Sequence, residues 1–191
     1  MKKSFRILSF LVVMSFMFGF SFKTGIKEKV KSSLINGKLK KVLLSTYENR
    51  RTIYIDYSLP SYKKRLWVLD GKKVLLNTYV SHGKNSGLVY ARKFSNSPES
   101  NMSCVGRFIT LNSYTGKCGL SLRIMGIDES NSNTRSRSIV FHGSDYVNKN
   151  YIAKHGYAGR SLGCFATSWE DNEKIIELVK EKTSVMVVVV K

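Results

Sequence analysis

The sequence predicts a mainly β domain of the α+β class. Three observations carry that expectation. Apolar residues alternate with a period of two from Thr52 onward, an Asp70-Gly71 pair sits between two β-rich runs, and one amphipathic helical segment precedes a closing run of valines.

The chain has 191 residues, 42% hydrophobic and 24% charged, which is a globular balance with material for a real core. Residues 1–21 read as a secretory signal peptide: Lys2, Lys3 and Arg6 precede an apolar run to Phe20, and Gly19 and Ser21 are small residues suited to a cleavage site. Left uncleaved, the same segment is an anchor, and it is the chain's only expected contact with a membrane. Residues 22–50 form a lysine-rich extension. Ile26, Val30, Leu34, Leu39, Val42 and Leu43 suggest one or two short helices there, broken at Asn36-Gly37.

Residues 51–191 make the main domain. Ile53, Ile55 and Tyr57 alternate with Tyr54 and Asp56 as in a half-buried strand, which Pro60 ends. Residues 65–69 and 74–80 flank Asp70-Gly71 as the arms of a hairpin. Residues 82–87 form a glycine-rich loop without a phosphate-binding pattern, and residues 90–103 are polar and irregular. Further strands are expected at residues 106–111, 121–124 and 139–142. Ser168, with Asp171 three residues on, opens a helix whose apolar face is Ile175, Ile176 and Val179. Residues 185–190 read as a buried terminal strand, far too short to cross a bilayer.

The formal net charge is +19, and loss of Lys2, Lys3 and Arg6 with a cleaved leader lowers it by three to +16. Such a charge favours a polyanionic neighbour. The basic residues are scattered, with no basic helix, zinc-finger spacing or RNA-binding aromatic signature, so nucleic acid is not the expected partner. An exported chain meets anionic envelope polymers and carboxylate-bearing peptides instead. The three histidines have no metal-ligand spacing. Cys104, Cys118 and Cys164 are an odd set; Cys104 and Cys118 could pair across a hairpin and leave Cys164 free, or all three stay unpaired.

The stretch that carries chemistry is His142-Gly143 followed by Gly159-Arg160-Ser161-Leu162-Gly163-Cys164. His142 ends a hydrophobic strand, where a side chain emerges at a sheet rim. Cys164 sits in a glycine-rich turn ahead of the helix at Ser168. A nucleophilic cysteine needs its thiolate, and a nearby imidazole supplies the means of making it. The turn can also offer the N–H groups of Gly163 and Cys164 to a developing oxyanion. These residue types fit acyl transfer through a thioester, with Cys164 reacting faster than a free thiol near neutral pH. Against that stand the ordinary roles of a lone Cys as a small buried hydrophobe and a lone His as a structural ring.

The same segment resembles the active-site signature of the murein L,D-transpeptidase catalytic domain family: His-Gly, an interval, then Ser-x-Gly-Cys. The likeness runs over residues 43–190 and includes Arg65-Leu66-Trp67-Val68, Ser81-His82-Gly83-Lys84-Asn85-Ser86-Gly87, Gly119-Leu120-Ser121-Leu122-Arg123 and Ser144-Asp145-Tyr146-Val147. The resemblance implies a β-sandwich or barrel with one helix after the catalytic cysteine. It implies that Cys164 attacks the carbonyl of an L-centre in a peptidoglycan stem tetrapeptide and expels the terminal D-alanine. His142 would take the thiol proton, and Gly163 and Cys164 would hold the oxyanion. An amine acceptor gives a 3–3 cross-link and water gives carboxypeptidase activity. No metal or organic cofactor is implied, and the location is the periplasm or cell envelope. Leu162 stands where well-studied members have His, and Phe165, Ala166 and Thr167 stand where they have an Arg. Arg123, Arg137 and Arg160 are therefore the candidates for stem carboxylates.

Ser161 either orients His142 or shapes the turn. His82 either lines the cleft or is a turn histidine, and Asp145 and Tyr146 either shape a substrate channel or cap a turn. Two other classes remain. Papain-like peptidases place Cys before His, the reverse of this chain, and sortases need a distant His and a later Arg, against the 21 residues between His142 and Cys164. A non-catalytic binder of wall polymers on the same fold suits the charge but has no need of a thiolate.

Overall fold

The computed structural model describes residues 51–180 and 185–191, all within one compact unit. The leader, the extension and the boundary expected at residue 50 lie outside the described residues.

The domain is mostly strand, as the alternation predicts. One eight-stranded sheet has the order β3-β2-β1-β8-β4-β5-β6-β7. β1 (Arg51–Asp56), β2 (Leu66–Asp70) and β3 (Lys73–Thr78) form an antiparallel meander. The hairpin turns at Gly71, whose φ of 56° a side chain would disfavour. β8 (Met186–Val190) slots between β1 and β4, parallel to β1, with Val188 opposite Tyr54. A strand in mid-sheet is covered on both faces, and this is why its sequence is an unbroken apolar run rather than an alternation.

β4 (Gly106–Gly116) is antiparallel to β8 and to β5 (Gly119–Gly126). β6 (Val140–Gly143) pairs with β5, and β7 (Phe165–Thr167) runs parallel to β6. The sheet curls so far that its ends meet. The chain leaving β3 reaches β7, where the Ser81 N–H donates to the Ala166 carbonyl at 2.8 Å and the Ala166 N–H donates to Ser81 Oγ at 3.1 Å. Inside the curl, Phe165 stacks on Phe141 at 5.0 Å and meets Phe108 edge-on at 5.6 Å, all three fully buried. Each such ring contributes about 1.5–3 kcal/mol by leaving water.

Two expectations need correction. Among the described residues two α-helices are present, where the sequence led us to expect one. α1 (Lys149–His155) is capped by Asn148, whose side chain accepts from the Tyr151 N–H at 2.8 Å, and it ends at Gly156 with φ 79°. Only Ile152 of its residues is buried, so it leaves no apolar periodicity to read. α2 (Trp169–Lys180) begins where the Ser168 and Asp171 pair predicts, and the Asp171 N–H donates to Ser168 Oγ at 3.2 Å. The strand expected at residues 106–111 runs on to Gly116, past a register shift after Thr110. Of the two cysteine arrangements the sequence left open, the structure holds the one in which all three are free. Cys104 is buried before β4 and Cys118 is exposed in the β4–β5 turn, so the eleven residues of β4 lie between them. At about 3.3 Å per residue that length far exceeds the roughly 5.5 Å Cα separation of a disulfide.

Candidate active site

β6 delivers His142, and the loop ahead of β7 delivers Cys164. The parallel pairing sets His142 opposite Ala166. Cys164 lies two residues before Ala166, in the bend that leads into β7. His142 is 8% exposed, and its Nδ1 lies 2.8 Å from the carbonyl oxygen of Gly143. A carbonyl only accepts, so this contact assigns the proton to Nδ1 and leaves Nε2 of the neutral ring as a bare lone pair. Gly143 is required beside it: a Cβ there would run into the Trp169 ring, at 2.7 Å from Cδ2.

The thiol does not bond to the imidazole. Cys164 Sγ donates to the Ser138 carbonyl at 3.6 Å. Burial pushes the Cys164 thiol above its ordinary value; a hydrogen bond from the Val140 backbone and the Arg137 guanidinium pull the other way. The resting group is thus a protonated thiol, where the sequence led us to expect an activated one. The physical reason is that the desolvated position disfavours charge more than its neighbours favour it.

The turn is shaped by Ser161 and Gly163. Gly163 has φ 123°, and a Cβ on it would press on Ile139 Cδ1 and the Met102 carbonyl, each at 2.9 Å. Its N–H donates to Ser161 Oγ at 3.1 Å, and Ser161 Oγ donates to the Cys164 carbonyl at 2.7 Å. The Gly163 amide is therefore occupied within the turn and does not face a substrate oxygen, contrary to expectation. Ser161 is 4% exposed and closes the loop that presents Cys164.

His82 does not line a cleft. It is fully buried, with Nδ1 2.8 Å from Arg65 Nη2 and Nε2 3.2 Å from the Gly87 carbonyl. Guanidinium only donates, so Nδ1 accepts and Nε2–H donates. Burial, reinforced by the Arg65 charge, lowers its pKa from 6.5 to about 4. Its backbone carbonyl accepts the Ser161 N–H at 3.0 Å, so His82 braces the cysteine loop from behind.

Arg65 is the residue the sequence reading undervalued. It is fully buried, stacks 4.9 Å from the Tyr57 ring centre and donates to the carbonyls of Leu59 and Val80. Burial lowers its pKa to about 10. An arginine at the head of an apolar run reads as a surface charge; only its place in the fold gives it this interior role.

The other expected site residues separate into groups. Arg137 spends its guanidinium on the carbonyls of Ser95 and Met102 and the hydroxyl of Ser100, pinning residues 95–102 against the Cys164 turn. Arg160 is exposed and donates to the Lys84 carbonyl at 3.2 Å. Asp145 accepts from Trp169 Nε1 at 2.7 Å and so fixes the ring that covers Gly143. Tyr146 packs against Gly159, and its phenol is pushed up to about 12, first by burial and then by the neighbouring Cys164. Arg123 lies opposite Val140 across β5 and β6, its guanidinium 3.8 Å from the Tyr114 ring centre. It borders an open cleft of about 1090 Å³ that extends to Ser138 and Val140. Neither Cys164 nor His142 lines that cleft directly; it adjoins the thiol through Ser138. Among the described residues no cluster of three or more His, Cys, Asp or Glu could hold a metal ion, and no helix is long and apolar enough to cross a membrane.

No curated protein matches this chain. Similar solved structures include an L,D-transpeptidase from Mycobacterium smegmatis, at 15% identity and TM-score 0.46, covering 74% of this chain and 59% of that one. An Enterococcus faecium L,D-transpeptidase matches at 16% identity and TM-score 0.47, covering 74% and 50%. The helical cell-shape-determining protein of Campylobacter jejuni matches at 13% identity and TM-score 0.47, covering 75% and 48%. The chain thus spans about half to three fifths of the length of these proteins. The model of the L,D-transpeptidase catalytic domain family matches residues 25–188, most of the sequence, from before β1 into β8, and the chain belongs to that family.

Proposed function

We propose that this chain is a cysteine acyltransferase of peptidoglycan, which releases the terminal D-alanine of a stem tetrapeptide and passes the acyl group from Cys164 to an amine or to water. Family membership supports the substrate class. The observation that carries the mechanism is the His142 ring: Nδ1 is held by the Gly143 carbonyl, and Nε2 is left open on the strand beside the Cys164 loop.

Because burial holds the thiol protonated, its proton leaves as the substrate arrives. A change of the Cys164 rotamer swings Sγ from the Ser138 carbonyl toward His142 Nε2. Nε2 takes the proton while Sγ attacks the substrate carbonyl, and the Cys164 amide meets the oxyanion. The C–N bond then breaks, and the imidazolium returns its proton to the departing amine. The thioester is resolved by an amine, giving a 3–3 cross-link, or by water. Substrate of this kind lies outside the cytoplasmic membrane, so the proposed place of action is the cell envelope, where anionic polymers suit a net charge of +19.

A second reading is a wall-polymer binder without turnover. One observation favours it: the thiol is raised and bonded to a backbone carbonyl rather than to imidazole. Mass spectrometry of disaccharide-tetrapeptides incubated with wild type and Cys164→Ala separates the two. Tripeptide, D-alanine or a tetra–tri dimer from the wild type alone supports acyl transfer. An unchanged substrate from both, where a known transpeptidase acts on it, sinks the enzyme and leaves the binder.

A further inference from the structure

The cleft bordered by Arg123 extends the site in one direction only. Arg123, Arg135 and Lys180 lie on its wall, and among the described residues no Asp or Glu does. Lys180 has Glu177 at 3.9 Å, an exposed helical pair that leaves most of its charge uncompensated. Among the described residues, Arg123 and Arg135 have no acidic partner. The Arg123 guanidinium carbon lies 3.8 Å from the Tyr114 ring centre, a contact that holds it at the cleft both residues line. Leu111, Ile124 and Ile139 supply apolar wall between the cations. Spaced cations on apolar lining suit a peptide with separate carboxylates better than a polymer of repeating charge.

Distance says which carboxylate. Arg123 pairs with Val140, and β7 is one further strand away. Two strand spacings make about 10 Å between the backbones of Arg123 and Cys164, and the guanidinium leans toward Tyr114 on the far side. The α-carboxylate of a released terminal residue sits three bonds from the scissile carbonyl carbon and falls short of it.

We infer that this cleft is an anion subsite for a carboxylate that the peptide bears well away from the scissile bond, an acidic side chain or branch, held by Arg123 and Arg135 with Lys180 at the rim. The inference rests on the reading of Cys164 as the acylated residue, but its test does not require turnover. Calorimetric titration of the full chain as Cys164→Ala uses a stem tetrapeptide with free remote carboxylates, the same peptide with those carboxylates amidated, and a glycerol-phosphate oligomer. The free peptide is expected to bind about tenfold more tightly than the amidated one, as for loss of a charge-assisted pair. Adding Arg123→Gln and Arg135→Gln should erase that difference, with the thermal midpoint unchanged, whereas Lys154→Gln on α1 should preserve it. Equal affinity for the two peptides, a preference that survives the double substitution, or saturable binding of the oligomer without the peptide overturns the subsite. Absence of turnover in the wild type, with the binding difference intact, overturns the acyl-transfer reading and not this one.

Discussion

The two histidines that flank the cysteine loop have opposite fates. His82 has both ring nitrogens engaged, no exposure, and a pKa near 4. His142 has one nitrogen engaged and the other open, near the end of a four-residue strand. A ring with two partners is fixed in one tautomer and cannot exchange a proton without breaking a bond. A ring with one partner is oriented by it and remains free to act. The cysteine loop thus lies between one histidine whose ring is fully engaged and one whose ring keeps a free nitrogen.

The contrast can be broken most severely at His142. His142→Asn places an amide N–H where Nδ1–H meets the Gly143 carbonyl but removes the open base, and kcat/KM is expected to fall about 10²–10⁴-fold with little change in thermal midpoint. A fall of less than threefold would remove His142 from the mechanism. The next effect belongs to His82 and is read as stability against pH. An unfolded chain takes up this proton below pH 6.5, while the folded one refuses it down to about pH 4. The contribution is therefore complete above 6.5 and is lost as pH falls through that window. At about 1.4 kcal/mol per unit the loss is about 3 kcal/mol. Denaturant midpoints from pH 7 to 4 should decline, and the decline should flatten in His82→Gln.

His82→Ala at neutral pH should cost about 2–3 kcal/mol, from the cavity and from the bonds that Arg65 and the Gly87 carbonyl lose. Because the Ser161 N–H bonds to the His82 backbone, turnover per folded molecule should change far less than stability does. The smallest effect expected is at Asp145→Ala. Its exposed bond to Trp169 is worth about 1 kcal/mol or less, and loosening that ring over Gly143 should show as a shift in tryptophan fluorescence before it shows in rate.

Much of the frame was legible because local pattern and tertiary context agree. The Asp70-Gly71 turn, the valine run and the Ser168 cap each announce their element, and the structure puts β2, β3, β8 and α2 there. β7 was not legible, since three residues carry no periodicity, and neither was α1, which buries a single apolar side chain. At the site, residue identity pointed to His142 and Cys164, but the state of each group depends on contacts that sequence does not encode locally. The Gly163 amide is claimed by Ser161, Arg137 is absorbed by loop carbonyls, and Arg65 lies inside the core.

The bonds that join Ser81 to Ala166, and residues 82 and 84 to Ser161, close the curled sheet just where the cysteine loop begins. Such a closure is short, and the pairs it contains are few beside the long ladders of β4, β5 and β8. It is the natural place for the domain to open without melting. In hydrogen exchange the amides of Ser81, Lys84, Ser161 and Ala166 should form one cooperative unit that releases its protons well before β1 and β8. Warming or mild denaturant would then disarm Cys164 while the hydrophobic interior is still intact.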